Sequence, residues 1–144
     1  MALTERDQEH LGIDTNVLVA YLDQDHPDHV KVSRLSNRKV ALNPTVIHEA
    51  YHALVFKLKW NEDEASEVLK EAVNDENNIF INQSLTTTLA GLEMASEHHL
   101  GGRDALILAN FLGGKIRKLL TLDEDLLKLK TVKYGKERLE IIRP

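Results

Sequence analysis

The 144-residue chain contains no cysteine. Disulfides, thiolate zinc sites and cysteine nucleophiles are excluded, and a reducing compartment is allowed. Long apolar runs are missing as well. None approaches the ~20 residues of a membrane-spanning helix, and the opening "MALTERDQEH" has no apolar signal-peptide core. The expectation is a soluble, cytoplasmic protein with no membrane association. There is no internal repeat, low-complexity tract or flexible linker. With 42% hydrophobic residues, the chain can enclose one continuous core. It reads as a polar leader over residues 1–10 followed by a single domain over 11–144.

An excess of basic charge is also lacking. The net charge is −5, which argues against a surface that coats polyanions nonspecifically. The charge is uneven, however. Residues 1–114 hold 9 basic and 18 acidic side chains, and residues 115–144 hold 9 basic and 5 acidic. A basic tail region on an acidic body is suited to meeting phosphates.

Periodicity supplies the element order. "HLGID" (10–14) reads as a strand ending at Asp14, and "NVLVAYL" as an amphipathic helix. A helical stretch from His26 to about Asn37, a strand at 39–43 and a helix opened by Pro44 follow. The apolar stripe of that third helix runs Val46, Ile47, Ala50, Tyr51, Leu54, Leu58. Further on come a helix at 62–73, a strand at 78–82, and a helix capped by Ser84 that runs to the Gly101-Gly102 break. Another helix opens at Arg103-Asp104. The chain closes with strands at 118–122 and 139–142, separated by a helix at 123–130. Strands alternating with helices call for an α/β fold with a central parallel sheet covered on both faces.

Four carboxylates stand out from this frame. Asp14 and Asp123 each sit where a strand gives way to a helix. A helix cap explains either one alone, yet open parallel sheets also place ligands beyond the carboxyl ends of their strands. Asp104 shares a helix face with Ile107, Leu108 and Phe111, which turns its charge toward the core, where it needs a partner. Glu49 lies in a strip with Ala53 and Phe56 that is only partly polar. If the four converge, each pair at ~4 Å repels by on the order of 4 kcal/mol at an effective dielectric near 20. Such a cluster requires divalent cations, and all-oxygen ligands select Mg2+ or Mn2+.

Glu49 also lies within "HEAYH" (48–52), which fits the H-E-x-x-H pattern of zinc peptidases. The long form of that motif wants glycine and histidine where Val55 and Leu58 stand. A peptidase would leave Asp14, Asp104 and Asp123 unexplained, so His48 and His52 are read as incidental.

The segments "IDTNVLVAYLDQDHPDH", "NPTVIHEAYHAL", "RDALILA" and "LLTLDEDL" follow one another in an order and spacing that resembles the PIN domains, particularly the VapC toxins of prokaryotic toxin–antitoxin pairs. The resemblance covers nearly the whole chain after the first ten residues. It implies a three-layer α/β/α sandwich and a metal-dependent endoribonuclease, with Asp14, Glu49, Asp104 and Asp123 as the catalytic, metal-holding acids. It further implies in-line attack by a metal-activated water leaving a 5′-phosphate, an RNA substrate, a VapB-type antitoxin and a homodimer. Asn16 and Thr121 are expected to support the acids, and Arg103 to meet a substrate phosphate. The chain departs from the family in its polar leader and in Leu126, which stands where an aromatic is common. Asp125 competes with Asp123 for the last ligand position. The rival readings are the zinc metallopeptidase and a non-catalytic module that binds RNA or protein.

Overall fold

Residues 9–144 are described by the structure, a computed structural model. The expected leader therefore lies outside the described residues, except for Glu9 and His10. Six strands form one sheet in the order β3-β2-β1-β4-β6-β5. They are β1 (Leu11–Ile13), β2 (Val40–Leu42), β3 (Ile79–Phe80), β4 (Lys118–Leu120), β5 (Thr131–Tyr134) and β6 (Glu137–Ile142). Every pairing is parallel except β5 with β6. The helices are α1 (Thr15–Leu22), α2 (His29–Val32), α3 (Pro44–His52), α4 (Glu62–Asn74), α5 (Leu85–His98), α6 (Gly102–Gly113) and α7 (Glu124–Leu127).

The strands are short and their β1, β2 and β4 residues are nearly all buried, as a sheet covered on both faces demands. Ile13, Val40 and Leu42 on one face border a cavity with Leu18 and Leu22 of α1 and Val68 and Ala72 of α4. Gly12 points the other way, where an added Cβ would lie 3.1 Å from Phe111 of α6. Helices thus cover both faces, giving the three-layer α/β/α sandwich expected for a PIN-like chain. The second layer is closed by α5 against α6. At Gly91 a Cβ would come within 3.2 Å of the Leu106 Cα, so glycine is what allows the two helix backbones to approach so closely.

Several elements differ from the sequence reading. The stretch after His26 forms only one turn of α-helix and then a 3-10 turn over Ser33–Asn37; Ser33 Oγ donates to Val30 O, the local competition that shortens helices rich in serine and asparagine. Helix α5 ends at His98, with His99 in the left-handed conformation, while Gly101 serves as the N-cap of α6. The expected helix over 123–130 stops at Leu127, and the final strand is instead a hairpin. Gly135, at φ +61, supplies the tight turn between β5 and β6. The sheet is accordingly mixed at one edge. The third helix also changes form: Ala53–Lys57 is a π turn closed by Leu58 N donating to Ala53 O at 3.0 Å. Leu58 is therefore 39% exposed and off the buried stripe. Among the described residues, no helix is long and apolar enough to cross a membrane.

Candidate active site

The chain runs from β1 to β2 and β3 on one side, then crosses to β4 and β6 on the other. The direction of winding reverses between β1 and β4, the place where open α/β sheets bind ligands. Asp14 leaves the end of β1 and Thr121 the end of β4, joined by Asp14 N donating to Leu120 O at 3.0 Å. Around this point a cavity of about 440 Å³ is lined by Asp14, Asn16, Glu49, Asp104 and Asp123. Four segments distant in sequence thus bring the four expected acids to one cleft.

Their supports are specific. Asp14, only 5% exposed, accepts from Thr15 N at 2.8 Å and from Thr121 Oγ1 at 2.7 Å. The buried Thr121 hydroxyl in turn accepts from Asp123 N at 3.0 Å, tying the two strand-end aspartates together. Asp123 caps α7 by accepting from Asp125 N at 2.8 Å. Asn16 Oδ1 accepts from Leu122 N at 3.1 Å, which pins the start of α1 to the segment after β4. Both caps anticipated for Asp14 and Asp123 are therefore present in the same groups that face the cleft.

Glu49 reaches the cleft from α3, where Thr15 Oγ1 donates to its Oε1 at 3.1 Å and Arg103 Nη1 lies 3.2 Å from its Oε2. Thr15 is a contact that the sequence reading missed, although it stands between Asp14 and Asn16. Arg103 is exposed and is turned to a carboxylate rather than held clear of one. Asp125 does not join the cleft; its side chain is 87% exposed and pairs with Lys128 at 3.6 Å.

The acids share one electrostatic field. Burial above all pushes the Asp14 carboxyl up to about 6, with Asp104 and Glu49 adding to the rise against the Thr121 and Thr15 hydrogen bonds. Asp104 is raised by burial, then by Asp123 and Glu49, with Arg103 opposing. Carboxylates that raise one another's affinity for protons will do the same for a hard cation. In donor type, all oxygen, the four suit a hard divalent cation. Among the described residues, no group of three or more acids or histidines is arranged to hold a metal ion as it stands.

The histidines of HEAYH take no part. His48 is exposed and borders a separate groove with Tyr51 and Leu69, and His52 is exposed with its ring 4.9 Å from Phe56. Four of the nine basic side chains in the C-terminal stretch are paired with acids. Arg117 and Lys118 pair with Glu9, Lys128 with Asp125, and Arg143 with Glu124.

The PIN domain family model matches residues 12–132, a span that includes all four acids. No curated protein matches the sequence. Solved structures do resemble it. Mycobacterium tuberculosis VapC20, described as a sarcin-ricin loop cleaving toxin, superposes with a TM-score of 0.74 at 16% identity, covering 93% of this chain and 99% of that one. A toxin-antitoxin complex from Klebsiella pneumoniae gives 0.60 at 19% identity, covering 81% and 89%. VapBC2 from Rickettsia felis, bound to a DNA fragment from its promoter, gives 0.62 at 16% identity, covering 92% and 98%. At these identities the superpositions speak for the fold, and it is the match of the family model over most of the length that decides membership: the chain belongs to the PIN domain family.

Proposed function

We propose that residues 11–144 form an endoribonuclease that hydrolyses RNA phosphodiester bonds with Mg2+ or Mn2+, acting in the cytoplasm as the toxin of a toxin–antitoxin pair. The observation that carries this reading is the convergence of Asp14, Glu49, Asp104 and Asp123 on one cleft at the switch point of the sheet. These four would hold the metal, which when bound supplies an acidified water and offsets charge on the leaving oxygen. The chain's own part is positional. The Thr121 hydroxyl fixes Asp14 by donating to it and Asp123 by accepting from its backbone N–H; Thr15 orients Glu49. Asn16 keeps the two strand ends at a constant separation. Arg103 balances charge at Glu49 and is free to turn to a substrate phosphate when the acids are otherwise neutralised.

The fold shared with VapC20, a sarcin-ricin loop cleaving toxin, supports RNA as the substrate class. The two toxin–antitoxin assemblies of similar fold support a VapB-type antitoxin as partner. A homodimer completes the proposal. Leu85, Leu89 and Leu92, all more than half exposed on one face of α5, form an apolar stripe of the sort that supports self-association. Sedimentation at a concentration-independent 16.3 kDa would contradict the dimer.

The zinc peptidase reading has no support in the placement of His48 and His52. A cleavage assay separates the nuclease from a non-catalytic module. Purified protein should cleave RNA with magnesium or manganese and stop on chelation. Asp14→Asn and Asp104→Asn should each reduce the rate by at least a hundredfold. Full activity in either variant with both metals would remove that residue from the site.

A further inference from the structure

An acid cleft that accepts RNA faces a difficulty of its own making, because four carboxylates repel the phosphates they are to act on. Metal offsets part of this at the reacting centre, but proteins hold nucleic-acid backbones chiefly through N–H donors. Besides Arg103 at Glu49, the described residues lining the cleft include two with an ionisable nitrogen, His26 and Lys57. The four acids do not account for either of them.

Each is placed by a specific device. His26 follows α1 in a turn closed by its own N donating to Asp23 O at 3.0 Å. Its Nδ1 accepts from Asp28 N at 3.1 Å. A ring nitrogen that accepts carries no proton, so the neutral ring bears its proton on Nε2, at the opposite edge. The imidazole is thus anchored at one edge and presents a donor at the other.

Lys57 continues the row of Glu49 and Ala53 into the π turn. In an unbroken α-helix, Glu49 and Ala53 share a face with both Phe56 and Lys57, which stand three and four residues beyond Ala53. Closing the turn from Leu58 N to Ala53 O inserts one extra residue. The cleft wall then continues from Glu49 and Ala53 to Lys57 and Leu58, while Phe56 turns outward beside His52, 57% exposed. At the irregular turn the cation, and not the aromatic, borders the cleft on the face that carries Glu49.

We propose that His26 and Lys57 form a substrate-holding rim on the acid cleft, each donating to non-bridging phosphate oxygens of the RNA strand being cleaved. The inference rests on the nuclease reading above and deepens it by naming the residues that counter the repulsion of the acids.

The test uses the RNA oligonucleotide that wild-type protein cleaves fastest from a random-sequence pool. His26→Asn keeps a side-chain acceptor for Asp28 N but removes the far donor; Lys57→Gln removes the charge and keeps most of the stem. Each should raise KM about tenfold with the melting temperature and Mn2+ affinity unchanged. For Lys57→Gln, the slope of log affinity against log salt should also become shallower by about 1. Lys136→Gln, on the exposed β5–β6 turn, should match wild type. If wild type cleaves and both rim variants keep its KM and salt slope, the inference fails alone. If His26→Ala loses stability and His26→Asn restores both stability and KM, His26 only shapes its turn and its half of the inference is overturned. A wild type that neither binds nor cleaves RNA overturns the nuclease reading and this inference together.

Discussion

Two hydrogen bonds favour the charged form of Asp14, while burial and two neighbouring acids oppose it, and the opposition wins. With the folded group raised from 3.8 to about 6, the native state holds that proton more tightly than the unfolded chain. Stability contributed by this group is therefore complete below pH ~4 and is lost as pH rises through about 6, a difference on the order of 3 kcal/mol. Asp14→Asn escapes the loss. Its Oδ1 can still accept from Thr15 N, and its Nδ2 can donate to the Thr121 hydroxyl in a reversed bond. In chelator, the variant should melt near wild type at pH 4 and clearly above it at pH 7.5; a variant less stable at pH 7.5 would refute the account. Glu49 offers a second test at this scale. As a magnesium or manganese ligand among aspartates, Glu49→Gln should lower Mn2+ affinity and RNA cleavage together, because an amide oxygen offers a hard cation less charge. His48→Ala and His52→Ala should retain most activity. Tight zinc binding that depends on both histidines, with Mn2+ affinity unchanged in Glu49→Gln, would reverse the assignment. Local pattern made each of the four acids only a candidate, with Asp14 and Asp123 equally explained as caps, and it was the resemblance to the PIN domains that joined them into one site. Thr15, His26 and Lys57 were not legible, because nothing local says that the turn after α1 folds toward the strand ends.

At the scale of single elements, backbone conformation decides where the sequence pattern misleads. The stripe ending in Leu58 is a sound α-helical period, but the π turn breaks it within the last five residues. Similarly, Thr131–Tyr134 buries only Val132 fully, too weak a pattern to distinguish an edge strand from the end of a helix. The α5 terminus shows the opposite case, in which the glycines drew attention past the real stop. His99 adopts φ 56 and ψ 43 to end the helix, a conformation that costs an L-residue about 1 kcal/mol. His99→Gly should relieve that cost and raise the urea midpoint by the equivalent of up to about 0.5 kcal/mol, after the extra freedom of the unfolded chain is subtracted. RNA cleavage should be unchanged, since His99 does not border the cleft. A lower midpoint would show that the imidazole contributes more than its backbone strain costs.

Across the whole molecule, the parallel order of β3, β2, β1, β4 and β6 makes the site, since it gathers acids from residues 14, 49, 104 and 123 beyond the carboxyl ends of the central strands. The alternation of strands and helices was enough to anticipate that layout; the hairpin at β5 lies at the far edge and leaves it intact. The same gathering stores repulsion that the fold must bear, and the chain carries −5 overall, so a divalent cation acts on global stability as well as on chemistry. An ion that binds only the folded chain stabilises it by RT ln(1 + [L]/Kd), about 2.7 kcal/mol at a hundredfold excess over Kd. For a domain of this size, that corresponds to a rise in melting temperature on the order of 10 °C. Scanning calorimetry at pH 7.5 should show this rise with Mn2+, its reversal by chelator, and its near absence in Asp104→Asn. The rise should also shrink as pH falls through about 6, where protons compete for Asp14. A melting temperature indifferent to Mn2+ and Mg2+ in wild type would mean that the four carboxylates do not hold a metal, and the proposed hydrolysis would lose its source of activated water.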